Sequence, residues 1–246
     1  MGLPISVLAR GDLAQSPEAD RAVHAVFGEL VAVDAVFSLY KPDSFVSRLQ
    51  RGEVGWDDCP SDVRRVADRC DRAKVMTGGL FDATRPDGTW DPSGLVKGWA
   101  TERAARHLAD VAVDWCLNAG GDVLVLSPTG EPFTVGVQDP RDVHRVAAAV
   151  PCSSGAVATS GTAARGAHLY DPRSGAAAET GWSSITVLGP SLETADVLAT
   201  AAFVAGDRWR ETVDLVGGYA GLGIDADGAV HRTPAWPTGG HVGLPV

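Results

Sequence analysis

The chain has 246 residues, of which 45% are hydrophobic and 21% are charged, ordinary values that exclude a disordered or fibrous protein. A formal net charge of -10 argues against a general binder of nucleic acid or of anionic membranes. No apolar run comes near the roughly 18 residues of a membrane span, and no basic region precedes the first apolar run, so we expect a cytoplasmic protein without a signal peptide.

The first half of the chain predicts a strand followed by three helices. We expect one domain over residues 1–246, because no repeat or long linker interrupts the sequence. The strand covers residues 3–9. The helices are predicted from apolar residues at helical spacing, and Ser16 and Pro17 suit the N-cap and the first position of the first helix. The other two helices are expected at 61–75 and from Ser93 to about Leu108.

The second half changes to short β-rich runs, which are followed by helices and a hairpin. The runs cover 111–117, 122–127, 133–138, 146–150 and 185–188. Ser191 is expected to cap a helix that runs to about Val204, and 207–216 predicts another. A final hairpin is expected at 219–225 and 229–233, with its turn at Asp227-Gly228. Helices, then strands, then helices predict an α+β fold rather than a strictly alternating α/β fold.

Four cysteines stand far apart in the sequence, at Cys59, Cys70, Cys116 and Cys152. No C-x-x-C pair occurs, so neither a zinc ribbon nor a redox dithiol is indicated. We expect buried or idle thiols in a reducing compartment.

The segment DPSGLVKG, residues 91–98, is the first that indicates chemistry. We expect Ser93 to cap the third helix and to leave the first amide groups facing open space. A helix N-terminus attracts anions, and Lys97 adds a full positive charge one turn later. The segment therefore predicts a phosphate site, with a structural cap and a surface lysine as the alternative.

Asp196 and Thr200 are spaced by one helical turn, so their side chains share a helix face. A carboxylate and a hydroxyl are hard oxygen donors that suit Mg²⁺, which completes its shell with water and substrate phosphate. We expect Asp196 to be an exposed ligand, whose replacement by alanine leaves the fold intact. The alternative is an exposed aspartate beside a threonine that bonds back to its own helix.

His168 precedes the turn-forming sequence DPRSG, which predicts a strand-to-turn junction where a side chain can face a cleft. A neutral imidazole there could accept a proton from a hydroxyl, and the alternative is a hydrogen-bonded structural histidine. Three weaker signals are the turn NAGGD, the loop GGLFD and Tyr40, which could stack on a flat ring. Turn formation and core packing are the alternatives for these three.

Eight segments, taken in order, resemble the ApbE family, the FAD:protein FMN transferases. They are MGLPIS, FSLYKPDSFVSRL, TGGLFDAT, DPSGLVKGWA, NAGGDV, VATSG, HLYDPRSG and SITVLGPSLETADVLAT. The resemblance implies an α+β fold with mixed, largely antiparallel sheets and packed helices. It also implies an enzyme that binds FAD with Mg²⁺ and cleaves the FAD pyrophosphate. It implies that AMP is released and that FMN is joined through a phosphoester to a Thr or Ser hydroxyl of an acceptor protein.

The resemblance also assigns site residues. Asp196 and Thr200 match the side-chain ligands of Mg²⁺, and Gly94 matches the residue that gives a backbone carbonyl to the same ion. His168 matches the histidine that helps to deprotonate the acceptor hydroxyl. The positions that match FAD contacts are Met1, Tyr40, Leu80, Phe81, Asp82, Asp91, Lys97 and Tyr170.

Two other functions remain open at this point. The same metal and phosphate site would serve a Mg²⁺-dependent FAD pyrophosphatase that gives FMN and AMP. A non-catalytic flavin-binding protein is the second alternative, although a carrier has no need of a metal pair. The sequence does not identify the acceptor protein.

Overall fold

The computed structural model describes residues 2–162 and 169–237, and the backbone of 242–243. The helices are Pro17–Phe37 (α1), Phe45–Gln50 (α2), Ser61–Met76 (α3), Ser93–Ala105 (α4), Leu192–Ala205 (α5) and Trp209–Val213 (α6). The strands are Ile5–Arg10 (β1), Asp114–Ala119 (β2), Asp122–Leu126 (β3), Phe133–Asp139 (β4), Asp142–Gly161 (β5), Trp182–Gly189 (β6), Ala220–Asp225 (β7), Val230–Arg232 (β8) and Val242–Gly243 (β9).

The strands form one sheet in the order β1-β2-β3-β5-β6-β7-β8, with β4 and β9 paired to β5. Every pairing is antiparallel except the parallel contact of β9 with β5. The C-terminal half of β5 lies between β3 and β6, so Val157 is opposite Val123 on one side and Leu188 on the other. The predicted α+β class with a largely antiparallel sheet is confirmed.

The helix starts agree with the sequence at α1 and α5. The Ser16 hydroxyl accepts a hydrogen bond from the Ala19 amide at 3.1 Å, and Pro17 is the first residue of α1. The Ser191 hydroxyl accepts one from the Thr194 amide at 3.3 Å. These caps satisfy amide groups that have no partner inside the helix, which fixes where each helix begins.

Three elements differ from the prediction. The short helix α2 was not predicted, and 207–216 forms only the five-residue α6 after a 3₁₀ turn. Strand β5 has 20 residues, although the sequence predicted only 146–150. Residues 152–155 lack an alternation of polar and apolar side chains, but β4 pairs as far as Cys152 and β3 pairs from Ser154.

Helix α5 packs between the sheet and α4. On one side it packs on β5 and β6, where Ala158 and Ile185 are fully buried, and on the other side it contacts α4. The opposite face of the sheet has its own apolar cluster, which includes Val125 and Leu222. Among the helices of the described residues, none is long and apolar enough to cross a bilayer.

Candidate active site

Helices α4 and α5 cross in close contact and bring Lys97 beside Asp196. Gly98 makes the crossing this close, since a Cβ at this position would lie 2.7 Å from Cα of Glu193 and 2.8 Å from the Leu192 carbonyl oxygen. Real Cβ atoms do not approach backbone atoms at such distances, so any larger residue would force the helices apart. The position of Lys97 relative to Asp196 is therefore fixed by direct contact between the backbones of α4 and α5.

A second contact fixes the same two helices. The Glu102 carboxylate on α4 accepts hydrogen bonds from the Ser191 hydroxyl at 2.8 Å and from the amides of Leu192 and Glu193. It thereby supplements the cap of α5, and its negative charge lies at the positive end of that helix. The side chains of α4 and α5 are thus held in register one turn from the site.

Lys97 lies between two buried carboxylates. Its Nζ is 2.7 Å from Oδ2 of Asp122 and 3.4 Å from Oδ1 of Asp196. The side chains of the two aspartates are 1% and 3% exposed, and that of Lys97 is 20% exposed. The other Asp122 oxygen accepts a hydrogen bond from the Thr159 amide at 3.1 Å, so Asp122 connects α4 to β3 and β5.

Burial and the neighbouring charges shift the pKa values of Asp196 and Lys97. Burial raises the pKa of Asp196 above its ordinary value; Lys97 opposes this effect and Asp122 adds to it. Burial alone would lower the pKa of Lys97, but Asp196 and Asp122 raise it overall. Lys97 is therefore a fixed cation, bonded closely to one carboxylate and loosely to the other.

Asp196 is 2% exposed, so the expectation of an exposed aspartate is wrong. The reason is the position of α5, which is covered by the sheet on one side and by α4 on the other, so that most of its residues are buried. The Oδ2 atom of Asp196 has no hydrogen-bond partner among the described residues. An unpaired buried carboxylate oxygen is costly, and a bound cation would satisfy it.

Thr200 lies one turn beyond Asp196 on α5, and its hydroxyl forms a hydrogen bond with the Ser160 hydroxyl at 3.0 Å. Within the described residues, no three His, Cys, Asp or Glu side chains form a group that could hold a metal ion. An oxygen pair from one helix face nevertheless fits Mg²⁺, which usually takes one or two protein ligands and fills its octahedron with water and phosphate oxygens.

The start of α4 differs from the prediction. Pro92 is the N-cap and Ser93 is the first helical residue, and the Asp91 carboxylate accepts a hydrogen bond from the Ser93 amide at 3.0 Å. The amides of Leu95 and Val96 donate to the Pro92 carbonyl. The expectation that the first amides of this helix face open space is wrong for these three groups, so the positive charge here comes from Lys97.

Gly94 belongs to the first turn of α4 and packs on Phe81, since a Cβ at Gly94 would lie 3.0 Å from the Phe81 ring. Leu80 and Phe81 are 7% and 4% exposed and belong to the apolar core. The Phe81 amide donates to the Thr77 hydroxyl at 3.1 Å, which fixes the loop after α3. These residues form a wall behind the start of α4.

Asp82 and Asp91 carry the charges of the neighbouring loop. Asp82 forms an ion pair with Lys74 at 2.7 Å, and Asp91 pairs with Arg85. The Tyr170 hydroxyl donates to the Asp82 carbonyl at 3.3 Å, and burial together with Asp91 raises the pKa of this phenol. The structure thus brings Asp82, Asp91 and Tyr170 together.

Three further predicted residues remain to be placed. Tyr40 follows α1 and is 85% exposed. Met1 and His168 lie outside the described residues.

Asp122 is the site residue that the sequence did not predict. The turn before it is formed by Gly120 and Gly121 with positive φ angles of 64° and 98°, and the Asn118 side chain accepts from the Gly121 amide. This hairpin matches the predicted alternative of a simple turn. The feature that could have identified Asp122 is its position, directly after the turn and at the start of a strand whose residues are mostly buried.

The chain is similar in sequence to known proteins. The sequence model of the ApbE family matches residues 1–87 and 84–220. An FAD:protein FMN transferase of Vibrio cholerae is 30% identical over 146 residues, which cover 54% of this chain and 44% of that protein. One of Haemophilus influenzae is 28% identical over 130 residues, which cover 48% and 38%. The chain spans less than half the length of these curated relatives.

Solved structures share the fold over nearly the whole chain. The ApbE protein of Thermotoga maritima superposes with a TM-score of 0.80 at 23% identity and covers 95% of this chain and 98% of its own. The flavin transferase ApbE of Vibrio cholerae gives a TM-score of 0.73 at 20% identity, with 94% and 96% covered. Because the family model matches most of its length, the chain belongs to the ApbE family.

Proposed function

We propose that this protein is an FAD:protein FMN transferase, which moves FMN from FAD to a Thr or Ser hydroxyl of an acceptor protein and releases AMP in a Mg²⁺-dependent reaction. The observation that carries the proposal is the buried cluster of Lys97, Asp122 and Asp196, in which one Asp196 oxygen is unpaired among the described residues. The family and the names of its curated relatives support FMN transfer from FAD to a protein, whereas the Mg²⁺ dependence, the Thr or Ser acceptor and the release of AMP rest on the sequence resemblance.

We assign the metal to three residues of α4 and α5. Asp196 and Thr200 would hold Mg²⁺ through side-chain oxygens, and Gly94 would hold it through its carbonyl oxygen. When bound, Mg²⁺ would neutralise charge on the FAD diphosphate and on the departing AMP phosphate. Lys97 would bind a further phosphate oxygen, since phosphoryl transfer depends mainly on positioning and on charge neutralisation.

The acceptor hydroxyl would lose its proton to His168 as its oxygen bonds to the FMN phosphorus. The bridging P–O bond would break, and AMP would leave with the bonding electron pair. This assignment of His168 rests on the sequence resemblance, because the residue lies outside the described part of the chain.

The proposed FAD contacts differ in how they would act. Leu80 and Phe81 are core residues, so they would form the wall of the pocket rather than project into it. Tyr40 is exposed and free to stack on a ring, while Asp82, Asp91 and Tyr170 would line one side. Met1 is assigned on the resemblance alone.

The test is to incubate the protein with FAD, Mg²⁺ and a cell lysate, and to look for flavin fluorescence on acceptor bands in a denaturing gel. We expect a fluorescent band that disappears with a chelator and with Asp196→Asn. A matched control is Asp114→Asn, which removes another buried aspartate that pairs with a basic side chain, Arg10, at the far end of β2.

Product analysis separates the other two functions. AMP release that is equally fast without any acceptor, and no labelled band, would indicate the pyrophosphatase. FAD that stays bound and unchanged after long incubation would indicate a flavin carrier. Either result contradicts the transferase proposal.

A further inference from the structure

We infer that Asp122 is a positioning residue, whose carboxylate holds Lys97 away from Asp196, so that Asp196 keeps an oxygen for a divalent cation and Lys97 stays available to phosphate. The inference rests on the proposed function of this site. It assigns a role to a residue that the family resemblance left without one.

The geometry of Lys97 is asymmetric. Its Nζ is at hydrogen-bonding distance from Asp122, at 2.7 Å, and at the looser distance of 3.4 Å from Asp196. Asp122 is itself held by the Thr159 amide at 3.1 Å, so the sheet fixes its position independently of α4. Lys97 is thus drawn toward the sheet, while Asp196 belongs to α5.

Removal of the Asp122 charge would change this balance. A buried ammonium group needs a counter-charge, because the desolvation of an unpaired ion is costly. Among the described residues, Asp196 is the other carboxylate that pairs with Lys97. Lys97 would then close on Asp196, neutralise it and occupy the space of a divalent cation.

A simpler role for Asp122 is to attract the cation directly by its negative charge. That role predicts the same loss of metal affinity whether or not a lysine is present at position 97. The positioning role predicts a loss only when Lys97 is there to compete. A double-mutant cycle therefore separates the two.

The experiment measures binding of Mn²⁺ alone to the FAD-free protein by electron paramagnetic resonance, for the wild type, Asp122→Asn, Lys97→Met and the double variant. We expect Asp122→Asn to weaken binding about tenfold in the wild-type background, a loss typical of residues that orient metal ligands. In the Lys97→Met background the same change should alter affinity by less than about twofold, since the competing cation is gone.

Equal losses in the two backgrounds would overturn the inference in favour of direct attraction, and unchanged affinity of Asp122→Asn would overturn it outright. Asp114→Asn serves as the control and should bind Mn²⁺ like the wild type. A wild-type protein that binds no Mn²⁺ would contradict the proposed metal site as well as this inference.

A second measurement tests the inference if the Asp122→Asn variant does not fold. Lys97→Met alone should bind Mn²⁺ at least as tightly as the wild type, because it removes a competing cation. Weaker binding by Lys97→Met would contradict the competition on which the role of Asp122 depends.

Discussion

Lys97 and its two carboxylates show at the scale of single residues why this site is unlike the rest of the core. Buried ion pairs contribute little to stability unless further hydrogen bonds satisfy the remaining polar atoms. Asp122 meets that condition through the Thr159 amide, whereas Asp196 Oδ2 has no partner among the described residues. This difference supports the proposed role of Asp196 as a metal ligand.

A thermal unfolding experiment tests this explanation. We expect Mg²⁺ to raise the Tm of the wild type and to leave that of Asp196→Asn unchanged. A ligand at about 100 times its Kd contributes about 2.7 kcal/mol, and each kcal/mol shifts the Tm of a protein of this size by about 2–4 °C. A Mg²⁺ shift of equal size in both proteins would place the metal elsewhere.

The cysteines allow a pH-dependent test at the same scale. All four are free; Cys59, Cys70 and Cys152 are buried, as the sequence predicted, and Cys116 is half-buried. Burial raises the pKa of Cys116 and Cys152 to about 11 and moves that of Cys70 in the same direction. The thiolate is the reactive form, so these three thiols should be poorly reactive near neutral pH.

We expect Cys116 and Cys152 in the folded protein to react with iodoacetamide at pH 8 about a hundredfold more slowly than in the unfolded chain. The rate should rise about tenfold per pH unit below the raised pKa, because the thiolate fraction does so. Mass spectrometry of native and urea-unfolded samples measures both rates. Equal rates in the two states would contradict the burial of these thiols.

At the scale of secondary structure, the crossing of α4 and α5 matters most. Gly98 permits the contact, and Glu102 fixes it by capping α5. The sequence identified both helices but not their contact, because a glycine inside a helical pattern does not show which backbone approaches it. The cap of α4 was also misassigned, because the helix begins one residue earlier than expected: Pro92 is the N-cap, and the Ser93 amide donates to Asp91.

Gly98→Ala should destabilise the protein by about 1–3 kcal/mol, the usual cost of overpacking, because its Cβ would overlap the backbone of Glu193. Gly28→Ala is the matched control, since Gly28 lies in α1 with nothing near its missing Cβ, and it should stabilise by about 0.5–1 kcal/mol. Urea unfolding measures both. A Gly98→Ala variant as stable as the wild type would show that the helices separate without cost.

For the whole molecule, most of the chain order of elements was predictable from local patterns, and the largely antiparallel sheet from the family resemblance. The neighbours of each strand were not, since β5 pairs with β3, β4 and β6 along different parts of its length. The same limit applies to the site. Lys97 and Asp196 were identified separately from the sequence. Asp122 could not be identified, because its contact with Lys97 depends on how the sheet packs against α4.

Crystals grown with Mn²⁺ and FAD test the central claim most directly, because Mn²⁺ can be located by its anomalous scattering. We expect an anomalous peak at metal–oxygen distance, about 2.2 Å, from Asp196 Oδ2, with the FAD diphosphate in contact with both the ion and Lys97. A peak remote from Asp196, or an FAD diphosphate that contacts neither the ion nor Lys97, would contradict it.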